Sequence, residues 1–204
     1  MSATIAYPPM SFITFTFPDD PFCGRVNDSS GATVYDLDLD VGLFGGKKSS
    51  SISRIGPRRS IDPVGSINWG GWTSSKNVTV GGINCGRLLD HRSTGFFSSG
   101  EYWFTAGDGR EYYWKKKECF AASGQRVATY TRKKARLFHS NIPATLSVDR
   151  SYAAPAVLDF ILISALLMEK KREDEERRRR RAAASGGGSG GGGGGGDGGG
   201  GGGC

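Results

Sequence analysis

The chain has 204 residues, with 27 Lys/Arg against 20 Asp/Glu, a formal net charge of +7, 37% hydrophobic residues and 11% aromatic residues. That apolar share excludes a wholly disordered or fibrous chain and leaves enough for one domain with a sizeable core. The basic excess lies on the body, with 19 Lys/Arg against 13 Asp/Glu up to Tyr152, and favours anionic partners.

Residues 1–10 read as a frayed lead without the basic and apolar regions of a signal peptide. Cys23, Cys85, Cys119 and Cys204 are too far apart for a zinc site or a dense disulfide framework. Reduced thiols and a cytoplasmic location are therefore expected, with the nucleus as second choice. Residues 11–17 alternate Ile13, Phe15 and Phe17 with Thr14 and Thr16, a half-buried strand pattern. Residues 18–30 read as a loop. In residues 32–41, Tyr35, Leu37, Leu39 and Val41 face one way and Asp36, Asp38 and Asp40 the other, so the acids form a solvated face and no metal site. Residues 42–51 (GLFGGKKSSS) fail the phosphate-loop pattern, because Lys48 follows Gly46-Lys47 and Val41 stands where the first glycine belongs. They read as a flexible hairpin loop.

Ten short strands follow at regular spacing: residues 51–55, 64–69, 77–81, 87–90, 101–106, 110–115, 118–122, 126–132, 135–139 and 144–149. With the two before them they make twelve, which argues for an antiparallel barrel or sandwich. Asp108-Gly109 between two aromatic-rich strands is the plainest hairpin signal, predicting a tight turn with positive φ.

Residues 153–168 (AAPAVLDFILISALLM) are apolar on every side of a helical wheel, so this helix must be buried. From Pro155 to Met168 it measures about 21 Å, short of the roughly 20 residues a bilayer span needs, and Asp159 stands in its middle. The reading is a helix wrapped by the strands before it. Asp159 then needs a buried partner, either sheet amides or an inward arginine that fixes the helix's register. Residues 169–185 continue as a charged helix, with acid-before-base pairs at i,i+4 such as Glu173/Arg177 and Asp174/Arg178. Residues 186–204, almost all glycine, have no apolar surface to bury and are expected to be disordered.

The block EYWFTAGDGREYYWKK, then QRVATYTRKKARLF, then the terminal helix with its aspartate, resembles a fungal domain family of unknown function. Its layout is similar to the tubby C-terminal-like fold shared by LURP-one-related proteins and phospholipid scramblases. The resemblance implies a closed twelve-stranded β-barrel around a hydrophobic C-terminal helix, over residues 11–168. It carries no binding residue of those families onto this chain.

No catalytic residue, metal ligand or cofactor is expected. His91 lies in Asp-His-Arg-Ser without a nucleophile elbow or paired acid, and His139 ends a strand. The candidate binding residues are the basic clusters Lys115, Lys116, Lys117 and Arg132, Lys133, Lys134, Arg136, near Tyr112, Tyr113, Trp114 and Tyr130. If their strands are neighbours, they form one positive rim suited to phosphoinositide headgroups. The expected function is a non-catalytic binding or adaptor module docking on an anionic phospholipid surface or on another protein. A nuclear, nucleic-acid-associated protein is the alternative. A scramblase-like inserted protein comes third, against the helix's length and Asp159.

Overall fold

The computed structural model describes residues 11–42, 46–70, 77–93, 100–134 and 140–185. They hold one antiparallel sheet of thirteen strands and one long helix. The chain divides into two units, residues 1–168 and 169–204.

In the first unit the strands are β1 (Phe12–Thr16), β2 (Gly24–Asn27), β3 (Thr33–Val41), β4 (Lys47–Ile55), β5 (Ile61–Asn68), β6 (Asn77–Val80), β7 (Ile83–Gly86), β8 (Asp90–Arg92), β9 (Glu101–Thr105), β10 (Glu111–Lys115), β11 (Glu118–Ala121), β12 (Arg126–Thr131) and β13 (Thr145–Asp149). Their order in the sheet is β7-β6-β5-β4-β3-β2-β1-β13-β12-β11-β10-β9-β8. Two meanders are thus joined through the first and last strands, with Phe12 opposite Asp149 and Thr16 opposite Thr145.

The ladder is not closed, because β7 and β8 are its two edges. The expected twelve-stranded closed barrel is therefore corrected to an open sheet of thirteen strands. The two edges are nevertheless joined by residues 87–89 alone. Thirteen strands laid flat would separate their edges by roughly 58 Å, whereas that link reaches at most about 14 Å. The sheet must curl until its ends meet at an unpaired seam.

The helix α1 (Pro155–Ser185) begins inside the curl. Ile161, Leu162, Ile163, Ser164, Ala165 and Leu166 are all completely buried. Six consecutive positions at about 100° per residue point in every direction, so protein surrounds this segment on all sides. Each such aliphatic side chain contributes about 1.5–3 kcal/mol. Both meanders reach it. Gly65 of β5 meets Ile163, and the backbone N–H of Gly107, in the β9–β10 turn, donates to the Ala156 carbonyl at 2.9 Å. Trp114 of β10 donates through Nε1 to Ser164 Oγ at 2.8 Å, and Ser164 Oγ donates to the Ile161 carbonyl.

Local sequence explains the departures from expectation. β2 offers one inward residue, Val26, flanked by Arg25 and Asn27, and so shows no alternation. Val41, expected on the inward face of β3, is exposed at the strand's end, where the register against β4 shifts after Asp40. β4 starts inside the expected flexible loop. Its polar Ser50 is buried because Oγ accepts from Trp69 Nε1 at 2.8 Å. The strand expected at 87–90 is the link between the two edges, with Leu88 turned inward. The β9–β10 turn has three residues between Ala106 and Arg110, with Gly109 at φ 77° rather than a two-residue primed turn. The strand expected at 135–139 lies outside the described residues.

In the second unit α1 continues through residues 169–185. Lys170 pairs with Asp174, Lys171 with Glu175, and Glu169 with Arg172 at 3.8 Å. Asp174 and Glu175 are therefore engaged by lysines four residues before them, the reverse of the expected direction.

Candidate functional site: the basic end of the sheet

Lys116 and Lys117 form a two-residue turn, since Lys115 and Glu118 are paired across it. Lys116 sits at φ 57°, a conformation that glycine adopts without strain and lysine does not. The backbone N–H of Tyr130 donates to the Lys117 carbonyl at 2.9 Å, which places this turn beside the end of β12. From there the chain runs through Arg132 and Lys133 to Lys134. Lys134 exchanges backbone hydrogen bonds with Ile142 at 2.9 and 3.0 Å. Two clusters fifteen residues apart in sequence thus stand on neighbouring strand ends. Lys116, Lys117 and Lys134 are exposed, and Arg132 and Lys133 half-buried. Arg136 lies outside the described residues.

Carboxylates lace this end. Lys115 lies 3.4 Å from Glu101 and Lys133 lies 2.8 Å from Asp19. The neighbouring Asp20 lies 3.6 Å from Lys47, whose ammonium also sits 3.3 Å above the ring of the buried Phe22. Lys48 pairs with Asp40 at 3.2 Å. Through Asp19 and Asp20, then, the start of β4 joins the same basic end. Lys47 and Lys48 were not foreseen as part of it, because they read as loop residues with no strand to place them. Exposed pairs of this kind hold side chains in position more than they stabilise the fold.

Asp159 lies at the start of the enclosed helix, 9% exposed. The Tyr35 hydroxyl donates to its Oδ1 at 2.9 Å, and Arg54 donates through Nη2 to its Oδ2. Tyr35 and Arg54 face each other across β3 and β4. Burial, then the Asp159 charge, pushes the Tyr35 phenol far above its ordinary range. For Arg54, burial works against the charge, but the hydrogen bond and charge of Asp159 prevail and hold the guanidinium above its ordinary value. The chemistry here is that of a structural clamp between two strands and the helix.

His91 lies on β8 with its ring 4.9 Å from that of Tyr102, and its Nε2 occupies the space where Gly100 lacks a Cβ. His139 lies outside the described residues. Among the described residues no group of three His, Cys, Asp or Glu side chains could hold a metal ion. A cleft of about 260 Å³ lies at the seam, lined by Cys85, Arg87, Leu88, Arg92, Trp103 and Glu111 among others. Arg92 there is held by Glu111 at 2.8 Å and covers the Trp103 ring at 4.4 Å. The row continues outward as a ladder of rings, with Trp103 on Tyr113 at 4.6 Å and Tyr113 on Phe120 at 5.3 Å. Trp103 is thus flanked by Arg92 and Tyr113, and Tyr113 by Trp103 and Phe120.

No curated protein matches the chain. A solved structure of a protein from Arabidopsis thaliana is similar over 80% of this chain and 91% of that chain, at 15% identity and a TM-score of 0.37, a likeness too slight to carry an argument. The model of a family of unknown function, DUF6593, matches residues 19–174, from the loop before β2 into the charged part of α1, and the chain therefore belongs to that family.

Proposed function

We propose that the chain is a non-catalytic binding module, an adaptor that docks on anionic, phosphoinositide-bearing membrane surfaces in the cytoplasm. In this reading the curled sheet is a barrel of the tubby C-terminal-like kind, shared with LURP-one-related proteins, with its seam at β7 and β8. The observation that carries the reading is the meeting of the Lys115, Lys116, Lys117 turn with Arg132, Lys133 and Lys134 on adjacent strand ends. A lysine held where glycine would be unstrained supports it, because such strain gathers at functional turns. No helix among the described residues is long and apolar enough to cross a membrane, which favours docking by the rim over insertion by α1.

The test is co-sedimentation with phosphatidylcholine vesicles with and without a few per cent phosphatidylinositol bisphosphate. The expected result is binding to the charged vesicles only, released by salt as the Debye length shortens. Each lysine near such a surface is worth about 1 kcal/mol, so replacing Lys116 by Gly and Lys117 by Gln should weaken binding by about thirtyfold. Gly suits the turn at position 116, so the variant should fold. Equal sedimentation with neutral and charged vesicles, or an unaffected double variant, would sink the reading.

A further inference from the structure

The arginine run of α1 plays no part in the membrane reading, and its geometry is different from that of the rim. Residues 177–181 are all arginine, all exposed, and all within the helix, which continues to Ser185. At about 100° and 1.5 Å per residue, their guanidinium groups radiate around the whole circumference over about 6 Å of axis. Arg179 points roughly opposite to Arg177 and Arg181. Just before them comes an acidic band, in which Lys170 and Lys171 already engage Asp174 and Glu175. The Arg178 Nε turns back to the Asp174 carbonyl at 3.4 Å.

A flat anionic surface can engage only the side of such a collar that faces it. In a groove, the phosphates of the two walls lie within reach of arginines on opposite sides of the collar. A helix with its side chains is about 10–12 Å across, and the major groove of B-form DNA is about 12 Å wide. Arginine is the side chain best suited to phosphate, through its planar fork of donors. The acidic band would be repelled by the same phosphates, which limits the inserted length to the collar. From this match we infer that residues 177–181 form a binding element for duplex DNA that grips phosphates on both walls of the major groove. Few base contacts accompany it, so the binding is non-sequence-specific.

The test uses the full chain and a labelled 20-base-pair duplex of arbitrary sequence, with affinity followed by fluorescence anisotropy from 50 to 300 mM NaCl. Five phosphate contacts predict a slope of log affinity against log salt of about −4.5. Replacing all five arginines by glutamine, a good helix former, should remove most of that slope and leave the far-ultraviolet dichroism unchanged. Lys116→Gly with Lys117→Gln should leave the slope intact, which separates this element from the rim. Arg179→Gln should cost as much as Arg177→Gln, each flattening the slope by about 0.9. The inference is overturned if the five-glutamine variant binds with the parent's slope, if the parent fails to bind at 50 mM NaCl, or if Arg179→Gln is silent while Arg177→Gln is not. The last result would mean a flat partner. Loss of vesicle binding alone in the five-glutamine variant would overturn it as well.

Discussion

A single carboxylate shows how closely the enclosed helix is tied to the sheet. Asp159 accepts from Tyr35 and from Arg54, so all three groups hold their positions only together. Removing one member of a buried pair strands the other. Arg54 keeps 29% of its side chain exposed, however, and can relax toward solvent. The full cost of an isolated buried charge does not therefore apply. Asp159→Leu is expected to lower stability by about 2 kcal/mol, measured by urea unfolding. Adding Arg54→Met should recover part of that loss, because the unpaired cation is gone, while the buried Tyr35 hydroxyl still lacks its acceptor. If single and double variants unfold at the same urea concentration, the clamp contributes packing and no electrostatic coupling. Asp159→Asn keeps the volume and an acceptor for Tyr35, and should fall between the two.

At the level of elements, packing against α1 and against the neighbouring strand decides which sheet positions must be small. A Cβ on Gly65 would strike the carbonyl oxygen of Thr79 and sit 3.0 Å from the Ile163 side chain. One on Gly107 would lie 2.8 Å from the Ala156 carbonyl and 3.3 Å from the Phe160 ring. Gly65→Ala and Gly107→Ala are each expected to destabilise by about 1–3 kcal/mol, the range for overpacking. Gly46 has nothing within 4 Å of its missing Cβ, and Gly46→Ala should melt like the parent protein. Equal melting temperatures for all three variants would mean that the strands can move off the helix freely.

Neither close approach was visible in the sequence, where Gly65 and Gly107 look like ordinary strand and turn glycines. What was visible rests on periodicity. β3 alternates apolar residues with aspartates, β9 and β10 are runs of aromatics and β12 is rich in β-branched residues, and the limits of all four were read to within a residue or two. The helix announced itself by lacking a polar side. β2, β7 and β8 are three or four residues long, too short to show a period of two. β4 hides behind serines, and Ser50 can be buried only because Trp69 reaches it. The basic clusters were legible as runs of charge. Their meeting depends on the register of β11 against β12, and the inclusion of Lys47 depends on Asp19 and Asp20 in a loop. Such pairings leave no trace in local pattern.

For the whole molecule, the decisive feature is that the sheet in the first unit is assembled from both ends of its chain around a helix that comes last. β13 sits between β1 and β12, in the middle of the sheet order, and pairs Asp149 with Phe12 across most of the chain. Non-local pairing of this kind makes folding slow, because the loop must close before any contact repays it. The inward faces of the strands have little to pack on except α1. Phe15, Tyr35, Ile67, Trp114 and Leu146 belong to one buried cluster with Ile161, Leu162 and Leu166. A chain cut after Asp149 keeps all thirteen strands and every pair in the ladder, yet loses the body that those side chains enclose. The expected result is a collapsed state with strand-like far-ultraviolet dichroism, no near-ultraviolet signal from Trp114, strong binding of a hydrophobic dye and no cooperative melting transition. The intact chain should show the reverse on each measure. A truncated chain that melts cooperatively, with its tryptophan signal preserved, would mean that the sheet closes on itself without the helix. The burial of residues 161–166 would then be a consequence of the fold and no longer its cause.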